Sequence, residues 1–154
     1  MVEITEKKDC CGCSACVNVC PRGCVSMERD GEGFFYPRAD REKCVSCGLC
    51  EKVCPMLHSP AAPEGAPKAC AAFGSPEDRK GSSSGGVFAG LAQQVLEQGG
   101  LVFGAAMGEN QEYAAHVGID SLAELPKLQG SKYLQSRMGD CFRQAKKALD
   151  AGQA

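Results

Sequence analysis

Eight of the twelve cysteines in this 154-residue chain stand in two runs of identical spacing. Within each run three cysteines lie three residues apart, and a fourth follows four residues later, directly before a proline. The runs are Cys10, Cys13, Cys16 and Cys20, and then Cys44, Cys47, Cys50 and Cys54. Thiolates are soft ligands that select zinc, copper(I) and iron–sulfur clusters. The spacing places three thiols on one tight loop and carries the fourth away from it across a short helical turn.

The spacing C-x-x-C-x-x-C-x-x-x-C-P resembles the bacterial ferredoxin signature for 4Fe–4S clusters, present here twice. In two-cluster ferredoxins the fourth cysteine of each run binds the cluster of the other run. The resemblance therefore implies crossed ligand sets and two one-electron centres close enough for fast exchange. One set is Cys10, Cys13, Cys16 and Cys54, and the other is Cys44, Cys47, Cys50 and Cys20.

Structural zinc and disulfide bonds are the two alternative uses of these cysteines. Structural zinc explains paired C-x-x-C units, but zinc sites rarely use a third cysteine at the same spacing followed by C-P. Disulfides suit exported proteins, whereas residues 1–9 are charged and lack the apolar segment of a signal peptide. The sequence therefore predicts a cytoplasmic, metal-binding protein.

Composition excludes several classes of function. The formal net charge is −2 before any cluster adds its own negative charge, and no basic patch indicates nucleic-acid binding. No run approaches the roughly 18 apolar residues that a transmembrane helix needs. Hydrophobic residues make up 44% of the chain, enough for a core outside the cysteine-rich part.

The cysteine runs form an internal repeat with a period of 34 residues. Between them, the segments 25–27 and 34–37 are predicted strands joined across the turn 30–33. The proline-rich stretch 59–67 predicts a linker. We therefore expect an α+β chain with a two-cluster ferredoxin-like domain at 1–58 and a second domain at 68–154.

The second domain alternates predicted strands and helices, which favours an α/β layer. Strands are expected at 69–73, 101–107 and 113–119. Helices are expected at 86–98, with Val87, Leu91 and Val95 on one stripe and Phe88 and Leu96 beside it, and at 139–151, burying Phe142, Ala145 and Leu149. Gly99 and Gly100 should end the first helix, and Ser121 should cap a short helix before Pro126.

A loop of small residues at 79–86 runs into the predicted helix. Free N–H groups and the positive end of the helix dipole make such a loop a candidate anion site. The alternative is that Ser83 or Ser84 merely caps the helix while the glycines allow a turn.

The segments G-S-S-S-G-G-V-F at 81–88, G-G-L-V-F-G-A-A at 99–106 and G-S-K-Y-L-Q-S at 130–136 resemble the N-terminal part of the coenzyme F-420 hydrogenase/dehydrogenase beta subunit family. The resemblance implies a partial α/β flavin-oxidoreductase-like domain. It also implies electron transfer between the clusters, a flavin (FAD or FMN) and a deazaflavin or another acceptor. The flavin-phosphate contacts would be Ser83, Ser84, Gly85 and Gly86, with Lys132 as a charge partner.

The family continues with segments that this chain lacks, so we expect a fragment whose catalytic unit is incomplete and whose redox partner is a protein or larger complex. A ferredoxin-like carrier with a docking tail is the alternative, and a zinc-stabilised interaction module is a third. Cysteines outside the runs have no predicted ligand role; Cys70, in a strand, and Cys141 are expected to be buried apolar residues. His58 is expected at the surface.

Overall fold

The computed structural model describes residues 2–58, 61 and 65–153, which form two compact units divided between residues 65 and 66. Most of the predicted linker at 59–67 lies outside the described residues, so that prediction is untested. Every helix in the described part of the chain is too short or too polar to cross a bilayer.

The first unit contains two short helices and a hairpin. Helix α1 spans Ala15–Val19, strand β1 spans Val25–Arg29, strand β2 spans Phe35–Ala39 and helix α2 spans Leu49–Lys52. The strands are antiparallel, with Val25 opposite Ala39 and Arg29 opposite Phe35, as the sequence predicted. The Asp30 carboxylate closes the turn by accepting the backbone N–H of Glu32 and of Phe34, each at 3.0 Å. A 3₁₀ turn at Lys7–Asp9 precedes α1.

The second unit has three helices and one pair of strands among its described residues. Helix α3 spans Pro76–Lys80, α4 Val87–Glu97, β3 Val102–Met107, β4 Ala114–Ile119 and α5 Cys141–Asp150. Short 3₁₀ segments occupy Glu109–Gln111 and Leu122–Lys127. The overall α+β class is confirmed. Strands β3 and β4 are antiparallel rather than joined by a parallel crossover, so the expected α/β layer is present only as an alternation of helices and strands along the chain.

The core of this unit lies between α4, the β3–β4 pair and the 3₁₀ segment 122–127. Its buried members are Ala92, Leu96, Ala106, Ile119, Leu125 and Leu128. The predicted buried stripe on α4 is wrong for Val87 and Leu91, because the helix presents Ala89, Ala92 and Leu96 inward. Small side chains on that face allow the helix backbone to approach the strands closely.

Two further predictions are corrected, and one helix was missed. Residues 69–73 form no strand and are exposed, Cys70 included, because they pair with no strand among the described residues. Helix α5 buries Cys141, as expected, but leaves Phe142 and Leu149 exposed. The missed helix is α3, although Ser75 and Asp78 form its capping box and Pro76 is its first residue.

Two glycines end helix α4. Gly99 adopts φ +76°, its N–H donates to Leu96, and the N–H of Gly100 donates to Val95. This is the Schellman arrangement that glycine favours after a helix, and it confirms the predicted end. The short helix predicted before Pro126 is present as a 3₁₀ segment that includes Pro126, with Ser121 at its start but without a side-chain cap.

Candidate metal centres and a candidate anion-binding cleft

The two cysteine loops have the same local backbone. Residues 12 and 46 have φ +67° and +53°, and residues 14 and 48 have φ +61° and +74°. These left-handed positions lie between successive cysteines and bend the chain so that alternate side chains return to one side. In each loop the N–H two residues after the first cysteine donates to its sulfur at 3.4 Å, from Gly12 to Cys10 and from Ser46 to Cys44.

The short helices carry the third cysteine of each run into one core. Cys16 on α1 and Cys50 on α2 are both buried, in a cluster that also contains Val2, Cys24 and Val25. The N–H of Val2 donates to the Cys50 sulfur at 3.2 Å. Burial raises the pKa of Cys16 to about 11, with Cys13 and Cys10 nearby adding to the shift.

At the first site Cys54 approaches the first run. Burial raises the pKa of Cys10 and of Cys13, and the neighbouring Cys54 thiol raises both further. Cys11 contacts Cys13 and is exposed. The thiols of Cys10, Cys13, Cys16 and Cys54 are therefore neighbours, although Cys54 follows Cys16 by 38 residues in the sequence.

At the second site one pocket is lined by four of the cysteines that the ferredoxin resemblance groups together. They are Cys20, Cys44, Cys47 and Cys50, and Cys24 lines the same pocket. Burial tends to raise the pKa of Cys20, but hydrogen bonds from Cys24 and from the N–H groups of Arg22 and Gly23 leave it lowered. A donor set of four thiols around one space fits a 4Fe–4S cluster.

The cysteines of the two runs are too far apart to bind a single metal ion. Among the described residues no three His, Cys, Asp or Glu side chains are close enough together to hold one metal ion. Around one zinc ion, thiolate sulfurs lie roughly 3.8 Å apart, given Zn–S bonds of about 2.3 Å in a tetrahedron. A four-iron cube holds its ligand sulfurs farther apart, so a cluster site does not require such close thiols.

A family model described as a 4Fe-4S dicluster domain matches residues 9–57. The first unit contains a 4Fe–4S dicluster domain. Such a domain points to iron–sulfur electron transfer. No curated protein matches the chain, and the comparisons give no support to the resemblance with the F-420 family. The flavin contacts predicted from that resemblance therefore stay predictions.

The structure brings most of those predicted contacts to one cleft of about 410 Å³. One wall is the serine–glycine loop before α4, and the other is residues 128–131. A hydrogen bond joins the two walls, because the N–H of Ser131 donates to the Ser83 hydroxyl at 2.8 Å. The lining residues include Ser83, Ser84, Gly85, Gly86, Gly130 and Ser131. Neither Ser83 nor Ser84 caps α4, because Gly86 occupies the capping position and no side chain accepts there.

Gly86 is required at this position by geometry. It has φ +78°, and an added Cβ would lie 3.0 Å from the backbone of Asp78 and of Arg79. The loop can therefore pass against α3 only with glycine here.

Lys132 is adjacent to the cleft but not among its lining residues. Its ammonium donates to the carbonyl oxygens of Lys127, at 3.2 Å, and Gln129, at 2.7 Å, and burial lowers its pKa. The structure thus gives Lys132 a local role in holding the 127–132 segment. Sequence reasoning missed the contact between Cys24 and Cys20, although their four-residue separation across Pro21 was visible.

Proposed function

We propose that this chain is the iron–sulfur electron-transfer module of a flavin-dependent oxidoreductase, with the flavin phosphate bound in the serine–glycine cleft. When bound, the two clusters would supply one-electron storage and transfer. The residues proposed to hold them are the crossed sets given above. The observation that carries the flavin proposal is the meeting of the two resemblance segments, 81–88 and 130–136, at one cleft.

The cleft offers suitable chemistry for a phosphate group. Helix α4 is 11 residues long, and its first N–H groups have no side-chain cap. Unpaired N–H groups at the positive end of a helix dipole favour an anion. Ser83 and Ser84 are exposed in the cleft, so hydroxyl donors stand beside those groups. Lys132 would act indirectly here, by fixing the opposite wall.

Flavin binding can be tested by titrating the anaerobic protein with FMN and with FAD while following flavin fluorescence. We expect weak but saturable quenching, because the resemblance implies that the flavin site is incomplete in this chain and complete only in a full-length protein. Ser84→Asp should weaken binding at least tenfold by charge repulsion, whereas the matched neutral variant Ser84→Asn should change it little. Quenching that does not saturate, or that ignores the aspartate, would defeat the flavin proposal.

A second candidate is an electron carrier whose C-terminal unit docks a partner protein. It is favoured by the large apolar side chains that this unit leaves exposed, among them Phe88, Leu91, Phe142 and Leu149. Absence of flavin binding together with intact clusters would favour this carrier. In either case we place the protein in the cytoplasm, because a reducing compartment keeps cysteines available as thiolate ligands for clusters.

A further inference from the structure

The second cluster site contains a fifth thiol that the eight-ligand scheme does not use. Cys24 is only 6% exposed and lines the same pocket as Cys20 and Cys44. Its sulfur lies 3.4 Å from the sulfur of Cys20, and its backbone N–H donates to that same sulfur at 3.4 Å. Cys24 therefore approaches Cys20 with two polar groups at once.

Cluster binding fixes the direction of the sulfur–sulfur hydrogen bond. With both thiols protonated, either sulfur can donate. A cysteine that ligates iron does so as the thiolate and has no proton to give. Once Cys20 binds a cluster, the S–H of Cys24 is the donor and the Cys20 sulfur is the acceptor.

The first site has no buried counterpart of this donor among the described residues. The 34-residue repeat places His58 at the position of Cys24, and His58 is exposed. Cys11, the additional thiol at the first site, contacts Cys13 but is also exposed, so water can replace its hydrogen bond. Cys24 is thus a buried side-chain donor that only the second site has among the described residues. The backbone N–H groups of Val2 and Cys24, which donate to Cys50 and Cys20, remain in place when the Cys24 side chain is changed.

We propose that the Cys24 S–H donates to the Cys20 ligand and raises the reduction potential of the second cluster above that of the first. The proposal rests on Cys20 being a ligand of that cluster. Reduction adds one electron to the cluster without making or breaking a bond, and the added negative charge strengthens a hydrogen bond to a ligand sulfur. The first electron to enter the protein therefore resides on the second cluster.

The test compares Cys24→Ala, Cys24→Ser and Cys11→Ala in anaerobic potentiometric titrations followed by electron paramagnetic resonance. Hyperfine-shifted NMR signals of the cysteine β protons identify the ligands of each cluster. For Cys24→Ala we expect the electron distribution to move about tenfold towards the first cluster, which is about 59 mV for a one-electron couple. Serine keeps a donor and should restore most of the shift, while Cys11→Ala should leave the distribution within about twofold of the wild type.

Three outcomes would overturn the proposal, and they are distinguishable. An unchanged distribution in Cys24→Ala, with iron content preserved, removes the tuning role alone. Loss of half the iron in Cys24→Ala shows that Cys24 is itself a ligand. Absence of hyperfine shifts on the Cys20 β protons shows that the ligand assignment on which the proposal rests is wrong, whatever the potentials are.

Discussion

Cys54 follows Cys50 by four residues, yet its thiol is a neighbour of Cys10 and Cys13 in the other half of the repeat. In the same way Cys20 faces the pocket of the second run. This exchange of the fourth cysteine is the geometric feature that favours two clusters with crossed ligands over two independent metal sites. It can be tested one residue at a time.

We expect Cys54→Ala to damage the cluster held by Cys10, Cys13 and Cys16 and to spare the other. Iron and labile sulfide analysis, with NMR of the cysteine β protons, identifies which signals disappear. Cys70→Ala is the control, because Cys70 is an exposed thiol outside both runs. If the signals of Cys44, Cys47 and Cys50 disappear instead, the ligands are not crossed. Cys20→Ala is a less decisive test of the second cluster, because the Cys24 sulfur lies only 3.4 Å from the Cys20 sulfur that this substitution removes.

Metal content follows from the same eight thiols. Protein purified without oxygen should contain about eight irons and eight labile sulfides per chain, as two 4Fe–4S clusters require. Elemental analysis and the visible absorbance of the clusters measure this directly. Stoichiometric zinc in a colourless protein would contradict it.

At the scale of elements, the two faces of α4 should differ sharply in their contribution to stability. Leu96 is 7% exposed in the core, and Leu91 is 61% exposed on the opposite face. Leu96→Ala should lower the free energy of unfolding by roughly 2–5 kcal/mol, and Leu91→Ala by no more than about 0.5 kcal/mol. Guanidinium unfolding of the second unit, followed by circular dichroism, compares them. A larger loss for Leu91→Ala than for Leu96→Ala would show that the predicted stripe is buried, and equal losses would contradict the burial of Leu96 alone.

The two glycines at the ends of α4 provide a second matched pair. Both have positive φ, but an added Cβ meets nothing within 4 Å at Gly99 and meets backbone at 3.0 Å at Gly86. Gly99→Ala should cost about 1 kcal/mol from its backbone conformation alone. Gly86→Ala should cost clearly more, since it must also displace the start of the loop from α3. Equal unfolding free energies in the same denaturation experiment would contradict this packing.

Local signals in the sequence were sufficient where local physics decides the structure. The hairpin, the glycine end of α4 and the strands β3 and β4 appear close to where period and turn residues predict them. The failures concern tertiary contacts. Residues 69–73 have the composition of a strand but pair with no strand in the described part of the chain. The buried face of α4 depends on which neighbours it meets, and periodicity alone does not specify these.

In the candidate site, too, the sequence predicts features set by local spacing and misses those set by tertiary contacts. Cysteine spacing predicts the crossed ligand sets because ligand spacing is set by the metal chemistry itself, and four of the predicted ligands line the second pocket. The contact between Cys24 and Cys20 depends on how the chain turns after Pro21, and this turn has no sequence motif that would predict it. Lys132 was expected to face an anion, whereas two nearby carbonyl oxygens accept its hydrogen bonds.

For the whole molecule, the division into two units predicts where a protease enters. We propose the domain limits 1–58 and 68–154, and Lys68 lies in an exposed segment without helix or strand. Limited trypsin digestion should cut after Lys68 first and release an N-terminal fragment that retains both clusters. Lys68→Gln should delay that cut. Earlier cleavage within the cysteine-rich unit, with loss of its colour, would show that this unit does not hold together by itself.

The shared core of Cys16 and Cys50 has a consequence for how the protein matures. Each of these residues belongs to a different run, but both pack with Val2, Cys24 and Val25 in one buried cluster. Ordering one loop for its iron therefore also orders a wall of the other, so the first insertion should make the second easier. Native mass spectrometry during reconstitution should show empty and fully loaded chains with few half-loaded ones. A long-lived population carrying a single cluster would mean that the two insertions are independent.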